Sequence, residues 1–328
     1  MVDRSDVCVL IPTYNEAAAI GGVVEGFRER GYEDILVMDG HSTDGTREIA
    51  ERKGARVHTQ SGTGQGAGKG QAVREALSLI ESPVVLMLDG DATYRPDQAE
   101  RLLEPIFEGE AEHVIGDRFA DMESGAMSRL NQFGNRLINR LFRTIHGKDF
   151  ADILSGYRAF TLDSARRFAL TADGFGIETE MAVECVKHSV RTTVVPITYE
   201  ARPDDADTSL SPVRDGSVIL LTLYRMAKTS NPLFYFGSVG TVSMLLGVLA
   251  GIYVVVEWVT RGISHEVIAL VGGLAIIFGV QLLIFGVLSD MIVTLHREQM
   301  HFIERLSRED ETAFGRGENR SLGEDDGD

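Results

Sequence analysis

Between Leu233 and Val256, and again between Val267 and Ser289, the chain carries no charged residue. Each run exceeds the roughly 20 apolar residues that a helix needs to cross a bilayer. The joining segment, Glu257 to Glu266, is short, so the two runs form a hairpin whose ends lie on one side of the membrane. Arg214, Arg225 and Lys228 precede the pair, Arg297, Arg305 and Arg308 follow it, and Arg261 is the only Lys or Arg in the joining loop. Cations concentrated at the ends place both termini, and the large N-terminal region, in the cytoplasm. The alternative, a buried hairpin inside a soluble protein, fits runs of this length poorly. The chain thus divides into an α/β domain over residues 1–210, an interfacial amphipathic helix over 211–230, a transmembrane hairpin over 231–292 (spans 233–256 and 267–289) and a cytoplasmic helix end over 293–328. The last part, rich in Asp, Glu and Gly after Ser307, is expected to be disordered. Met1 to Asp6 leads directly into a strand, without a signal-peptide pattern.

The N-terminal part alternates short apolar runs with helical periodicity, the pattern of a mostly parallel α/β sheet. Val7–Ile11, Ile35–Asp39, Ala55–His58 and Val84–Asp89 read as strands, and Asn15 as a helix cap after the first. The fourth strand ends in Asp89-Gly90-Asp91. Open α/β sheets place ligands at the carboxyl ends of their strands. Two carboxylates there repel each other unless a hard divalent cation sits between them and a phosphate. A metal–diphosphate site is one reading of the triplet, and an acidic turn is the other. Asp39 also ends a strand, so a nucleotide fits along that edge. With 49 acidic against 32 basic residues the net charge is −17, which disfavours nucleic acid as a partner and suits a high-salt cytoplasm. Cys8 and Cys185 lie in apolar stretches and read as core residues.

The glycine run from Gly62 to Gly70 is not a P-loop: Thr63 stands where the first glycine belongs, and Gly70 where Ser or Thr must hold magnesium. A mobile loop that brings Lys69 to a phosphate and a plain flexible linker are the two readings. Over Ser128–Ile145, Arg129, Arg136, Arg140 and Arg143 recur at spacings of seven, four and three and form one helical stripe. Leu130, Phe133, Leu137 and Leu141 form an adjacent apolar one. In so acidic a chain, an anionic membrane surface gives such a helix a partner; acidic neighbours within the protein are the alternative. Glu178 and Glu180, two apart, cannot share a helical face. Glu180 is taken as the one that points into the site, as a catalytic group, with Glu178 capping or solvating the helix.

Taken in order, Ile11-Pro12-Thr13-Tyr14-Asn15-Glu16, the Asp39 turn, Asp89-Gly90-Asp91, Gly116-Asp117-Arg118 and Ser155-Gly156-Tyr157-Arg158 resemble family 2 glycosyltransferases of the dolichyl-phosphate mannose and glucose synthase type. The resemblance covers about residues 6–215. Within that type the hairpin and the acidic composition are most similar to haloarchaeal enzymes that load the first hexose of an N-linked glycan onto dolichyl phosphate. It implies a GT-A fold, inverting transfer, a nucleotide-sugar donor and a dolichyl phosphate acceptor. It also implies that Pro12, Tyr14, Glu16, Asp39, Lys69, Asp89, Gly90 and Arg202 bind the nucleotide sugar, and that Asp89 and Asp91 hold Mg²⁺ or Mn²⁺. Arg118 and Arg129 would meet the acceptor phosphate, with Asp91, Arg118 and Glu180 acting in catalysis. Thr93 stands where mannose synthases have glutamine, and the Asp-Gly-Asp-Ala-Thr-Tyr run with two spans looks more like glucose-type relatives. UDP-glucose is therefore the expected donor and GDP-mannose the alternative. A processive polysaccharide synthase lacks support, because the single tryptophan, Trp258, is not in a Gln-x-x-Arg-Trp motif. A non-enzymatic membrane scaffold would not need Asp89, Asp91, Arg118 and Arg202.

Overall fold

The structure is a computed structural model that describes residues 3–62, 68–174, 176–202, 221, 223–224, 227 and 231–321, with side chains described as far as residue 295. Its contacts divide the chain into two compact units, Met1–Met226 and Ala227–Asp328. The interfacial helix expected over 211–230 lies largely outside the described residues, as do the glycine-run residues 63–67.

The first unit is built on a seven-stranded sheet. Its elements in chain order are β1 (Val7–Thr13), α1 (Ile20–Glu29), β2 (Asp34–Asp39), α2 (Thr46–Arg52), β3 (Arg56–Thr59), α3 (Lys69–Leu79), β4 (Val84–Met87), α4 (Ala99–Phe107), β5 (His113–Met122), α5 (Arg129–His146), β6 (Arg158–Thr161), α6 (Leu162–Arg166), α7 (Ile177–Lys187) and β7 (Thr192–Tyr199). The strand order is β3-β2-β1-β4-β6-β5-β7. β1 is buried along its whole length, which explains why it is apolar without alternation: a central parallel strand has helices on both faces. β1 pairs in parallel with β2 and β4, and β5 with β7. β6 runs antiparallel between β4 and β5. That reversal matters for the site, because the chain entering β6 passes the tip of β4.

Arg158 opens β6, opposite Met87 and Ile115, and is fully buried. Its guanidinium donates to the carbonyls of Ser155 at 2.9 Å and Ile153 at 2.6 Å, so a buried cation shapes the loop before the strand. Asn15 does not cap α1. It sits in the left-handed region at φ 55° and its side-chain oxygen accepts from the Thr43 N–H at 2.9 Å, tying the β1 tip to the β2 tip. The helix starts later, at Ile20, with no side-chain cap.

The second unit is a pair of long helices, α8 (Pro232–Arg261) and α9 (Glu266–Ser321). Pro232–Arg261 and Glu266–Leu295 have mean hydropathies of 2.3 and 2.6 over their most apolar windows, and only 11% of each window is buried. Apolar surface left outside a helix pair on this scale is what a bilayer covers. Gly240 faces Gly279 and Gly247 faces Gly272: a Cβ on Gly279 would lie 2.5 Å from the Gly240 carbonyl, and one on Gly247 2.5 Å from that of Gly272. Small residues let the two backbones approach where no hydrophobic force drives them together. A Gly279→Leu variant is expected to separate the pair and lower the melting midpoint of the detergent-solubilised protein by several degrees, as overpacking by ~1–3 kcal/mol would. The second helix continues past residue 292 as far as Ser321.

Candidate active site

The carboxyl edge of the sheet gathers four carboxylates and two cations. Asp89 follows β4, and its carboxylate accepts from the Lys69 ammonium at the start of α3. The same ammonium lies 2.5 Å from a Glu178 oxygen on the first turn of α7. Burial alone would lower the lysine pKa, but the facing carboxylates outweigh it and hold the ammonium above its ordinary value. Asp91 is buried. One of its oxygens accepts from the Thr93 N–H at 3.1 Å and the Thr93 hydroxyl at 2.6 Å, and the other from Arg202 at 2.6 Å. Arg202 also lies 3.9 Å from Glu16. Burial, and then the charge of Asp91, push the Glu16 carboxyl up to about 7, with Arg202 opposing them.

Backbone geometry holds this cluster. Ala92, between Asp91 and Thr93, has φ 60°, a left-handed conformation that costs an L-residue about 1–2 kcal/mol. The turn directs Asp91 back onto the Thr93 donors. A Cβ on Gly90 would come 3.0 Å from the Thr13 hydroxyl, so the β4 tip lies against β1. A Cβ on Gly156 would lie 2.5 Å from an Asp89 oxygen and 3.0 Å from the Lys69 ammonium, and the Gly156 N–H donates to the Tyr94 hydroxyl at 2.9 Å. Gly156→Ala is therefore expected to displace Asp89 while leaving the sheet intact. Transfer should fall about 100-fold, the cost of a misplacement near 1 Å, and an unchanged rate would mean that Asp89 tolerates movement. Gly70 also has its reason here: a Cβ would meet the Ala172 carbonyl at 2.0 Å, and its N–H donates to Asp173 O at 2.9 Å.

Several expected residues fall elsewhere. Glu180 does not face the cluster. Its carboxylate accepts from the N–H groups of Thr171 and Ala172, both at 2.8 Å, and from the Thr171 hydroxyl at 2.7 Å. The loop before α7 folds back over that face of the helix, so Glu178 is the glutamate that reaches the site and Glu180 secures the loop. Arg118 is buried, and its guanidinium is held at both ends by Asp152, at 2.6 and 2.9 Å, above the Tyr199 ring. Arg129 opens α5 and is exposed. Asp39 is fully buried. One oxygen accepts from the Ser42 N–H at 3.0 Å, with the Arg47 Nε 3.8 Å away, while the other has no hydrogen-bond partner. Pro12 is buried in β1 beside it, and Tyr14 is half-buried against Gly40. Glu178, Thr93 and Gly156 complete the site. The two-residue spacing of the glutamates was the available signal for the first of these, and it leaves their phase open.

An open, mostly parallel sheet with an acidic, cation-bridged cluster at its carboxyl edge is the architecture of a GT-A glycosyltransferase. Residues 8–168 match Glycosyl transferase family 2. Glycosyltransferase AglJ of Haloferax volcanii is 62% identical over 301 residues, 92% of this chain and 98% of that one. The dolichyl-phosphate hexose transferase of the same organism is 32% identical over 216 residues, 65% of this chain and 90% of its own. Glucosyl-3-phosphoglycerate synthase from Mycobacterium tuberculosis, solved with phosphoglyceric acid, superposes with a TM-score of 0.54 at 20% identity over 67% of this chain and 79% of that one. The chain belongs to glycosyl transferase family 2 and is a transferase related to haloarchaeal hexosyltransferases.

Proposed function

We propose that the protein transfers a hexose from a nucleotide sugar to dolichyl phosphate at the cytoplasmic face of the cell membrane, with inversion, and that glucose from UDP-glucose is the hexose. The charge balance of the cluster is the observation that carries this reading. Asp89, Asp91 and Glu178, joined by Glu16 with its carboxyl pushed up to about 7, face the cations of Lys69 and Arg202. The cluster carries an excess of negative charge, which suits a divalent cation. Among the described residues no group of three or more His, Cys, Asp or Glu side chains suits a metal. Asp89 and Asp91 would hold such an ion, with substrate phosphates completing its shell, as is common for Mg²⁺. Asp89 and Asp91 would place Mg²⁺ or Mn²⁺ where its charge would offset that developing on the departing nucleoside diphosphate.

The protein's own groups do the rest. The unpartnered Asp39 oxygen suits a nucleobase N–H, since a buried acceptor without a donor is costly. Lys69 and Arg202 face the donor's diphosphate. Arg118, oriented by Asp152, and Arg129 meet the acceptor phosphate. No strong general base is required: a phosphate monoester has a second pKa of about 6 and is already a charged nucleophile at neutral pH. That agrees with the employment of Glu178 by Lys69 and of Glu180 by the 171–172 loop. The preference for UDP-glucose gains support from the synthase of the same fold, which has been solved with Mn²⁺, UDP-glucose and phosphoglyceric acid. The test offers purified protein, in molar salt with Mg²⁺ or Mn²⁺, a panel of nucleotide sugars and dolichyl phosphate. Mass spectrometry should find glucosyl dolichyl phosphate. Mannosyl product from GDP-mannose alone would overturn the donor, and no lipid product from any sugar would overturn the acceptor.

A further inference from the structure

The first turn of α7 acts on Lys69 by two routes. Glu178 meets the ammonium directly, at 2.5 Å. Glu180 is buried on another face of the helix, where its carboxylate is taken up by the Thr171 and Ala172 N–H groups and the Thr171 hydroxyl. One turn further on, Glu184 accepts from the Ala169 N–H at 3.0 Å. Residues 169–173, which have no regular secondary structure, are thus laid along α7 as a strap.

The other edge of the strap lies on the start of α3. The Gly70 and Gln71 N–H groups donate to the Asp173 carbonyl at 2.9 and 3.3 Å. Two of the N–H groups that a helix start leaves without an intrahelical acceptor therefore find one in the strap. Arg74, one turn on, donates to the Ala172 carbonyl and reaches the Asp173 carboxylate at 2.7 Å. The approach is close on both sides of Lys69: a Cβ on Gly68 would come 2.4 Å from the Asp173 carbonyl oxygen, and one on Gly70 2.0 Å from that of Ala172. The strap therefore sets the backbone of Lys69, while Glu178 and Asp89 hold its ammonium.

We infer that Glu180 is a positioning residue for donor binding: it fixes the 169–173 strap, the strap fixes the start of α3, and Lys69 is thereby set to receive the donor's diphosphate. This deepens the proposed function and rests on the role of Lys69 given there. The role needs hydrogen-bonding capacity rather than charge. The amide oxygen of a glutamine can accept both N–H groups, and its NH₂ can donate to the Thr171 hydroxyl oxygen. An alanine can do neither.

The test measures nucleotide binding to the detergent-solubilised full chain by calorimetry, with Mn²⁺ present. UDP and GDP are titrated in parallel, and the tighter of the two is followed. Lys69→Met and Glu180→Ala should each weaken it about tenfold, the size of one hydrogen bond to a charged group. Glu180→Gln should stay within about threefold of native, the charge-assisted part of those bonds being all that is lost. The Lys69→Met, Glu180→Ala double variant should match Lys69→Met to within about twofold, because Glu180 acts through Lys69. Arg74→Ala loosens the opposite edge of the strap and should behave as Glu180→Ala does, including in the Lys69→Met background, so the test survives a Glu180→Ala chain that fails to fold. A double variant weakened about 100-fold, as independent effects multiply, would overturn the inference. So would a Glu180→Gln chain as impaired as Glu180→Ala, or strap variants that bind as the native chain does. If Lys69→Met binds normally, the inference and the proposed role of Lys69 fall together; if only the coupling fails, that role and the proposed transfer stand.

Discussion

Asp91→Ala is expected to abolish the lipid-linked sugar formation proposed above, with a loss of about 10³-fold or more at saturating Mg²⁺ or Mn²⁺. Three features of the site set the size of the effect. Asp91 is buried, so its charge acts at low dielectric. Its orientation is imposed by two Thr93 donors and by the left-handed turn at Ala92, so no neighbouring carboxylate can take its place. Its removal also leaves Arg202 with Glu16, 3.9 Å away, as its acidic neighbour in the cluster. The variant should keep its thermal midpoint to within a few degrees, because the strand and core behind it are untouched. Full activity of a folded Asp91→Ala protein would end the metal assignment.

The second large effect falls on stability. Arg118 and Asp152 form a buried, doubly hydrogen-bonded pair. Asp152→Ala leaves a guanidinium without its counter-charge, which costs about 3–5 kcal/mol. For a unit of this size that corresponds to a fall of roughly 10 °C in melting temperature. Replacing both partners with apolar residues, as in Arg118→Met with Asp152→Leu, should recover much of the loss, since the penalty comes from the orphaned charge. The double variant should nonetheless remain inactive if Arg118 meets the acceptor. A double variant that folds and transfers sugar at the native rate would remove Arg118 from that role.

The same residues also mark where sequence reasoning reaches and where it stops. Alternating apolar runs disclosed the α/β sheet, and the arginine spacing disclosed α5 to within a residue at each end, because periodicity is local. The direction of β6 was not local: Arg158–Thr161 is a four-residue run that either orientation would satisfy, and only its pairing with β4 and β5 decides it. Spacing likewise put Glu178 and Glu180 on different faces but not which face met the site. That was settled by a loop folding back from Thr171, a tertiary event. In the sequence Gly70 reads only as a missing hydroxyl. Its function, contact with a backbone about a hundred positions further along, has no local signature.

Lys69, Asp89 and Glu178 come from α3, the β4 tip and α7, so the ammonium is balanced only when all three are present. Synthesis proceeds from the N-terminus, so Lys69 and Asp89 leave the ribosome well before Glu178. Catalytic competence must therefore arrive late in the life of the nascent chain, just ahead of the emergence of its two long apolar helices.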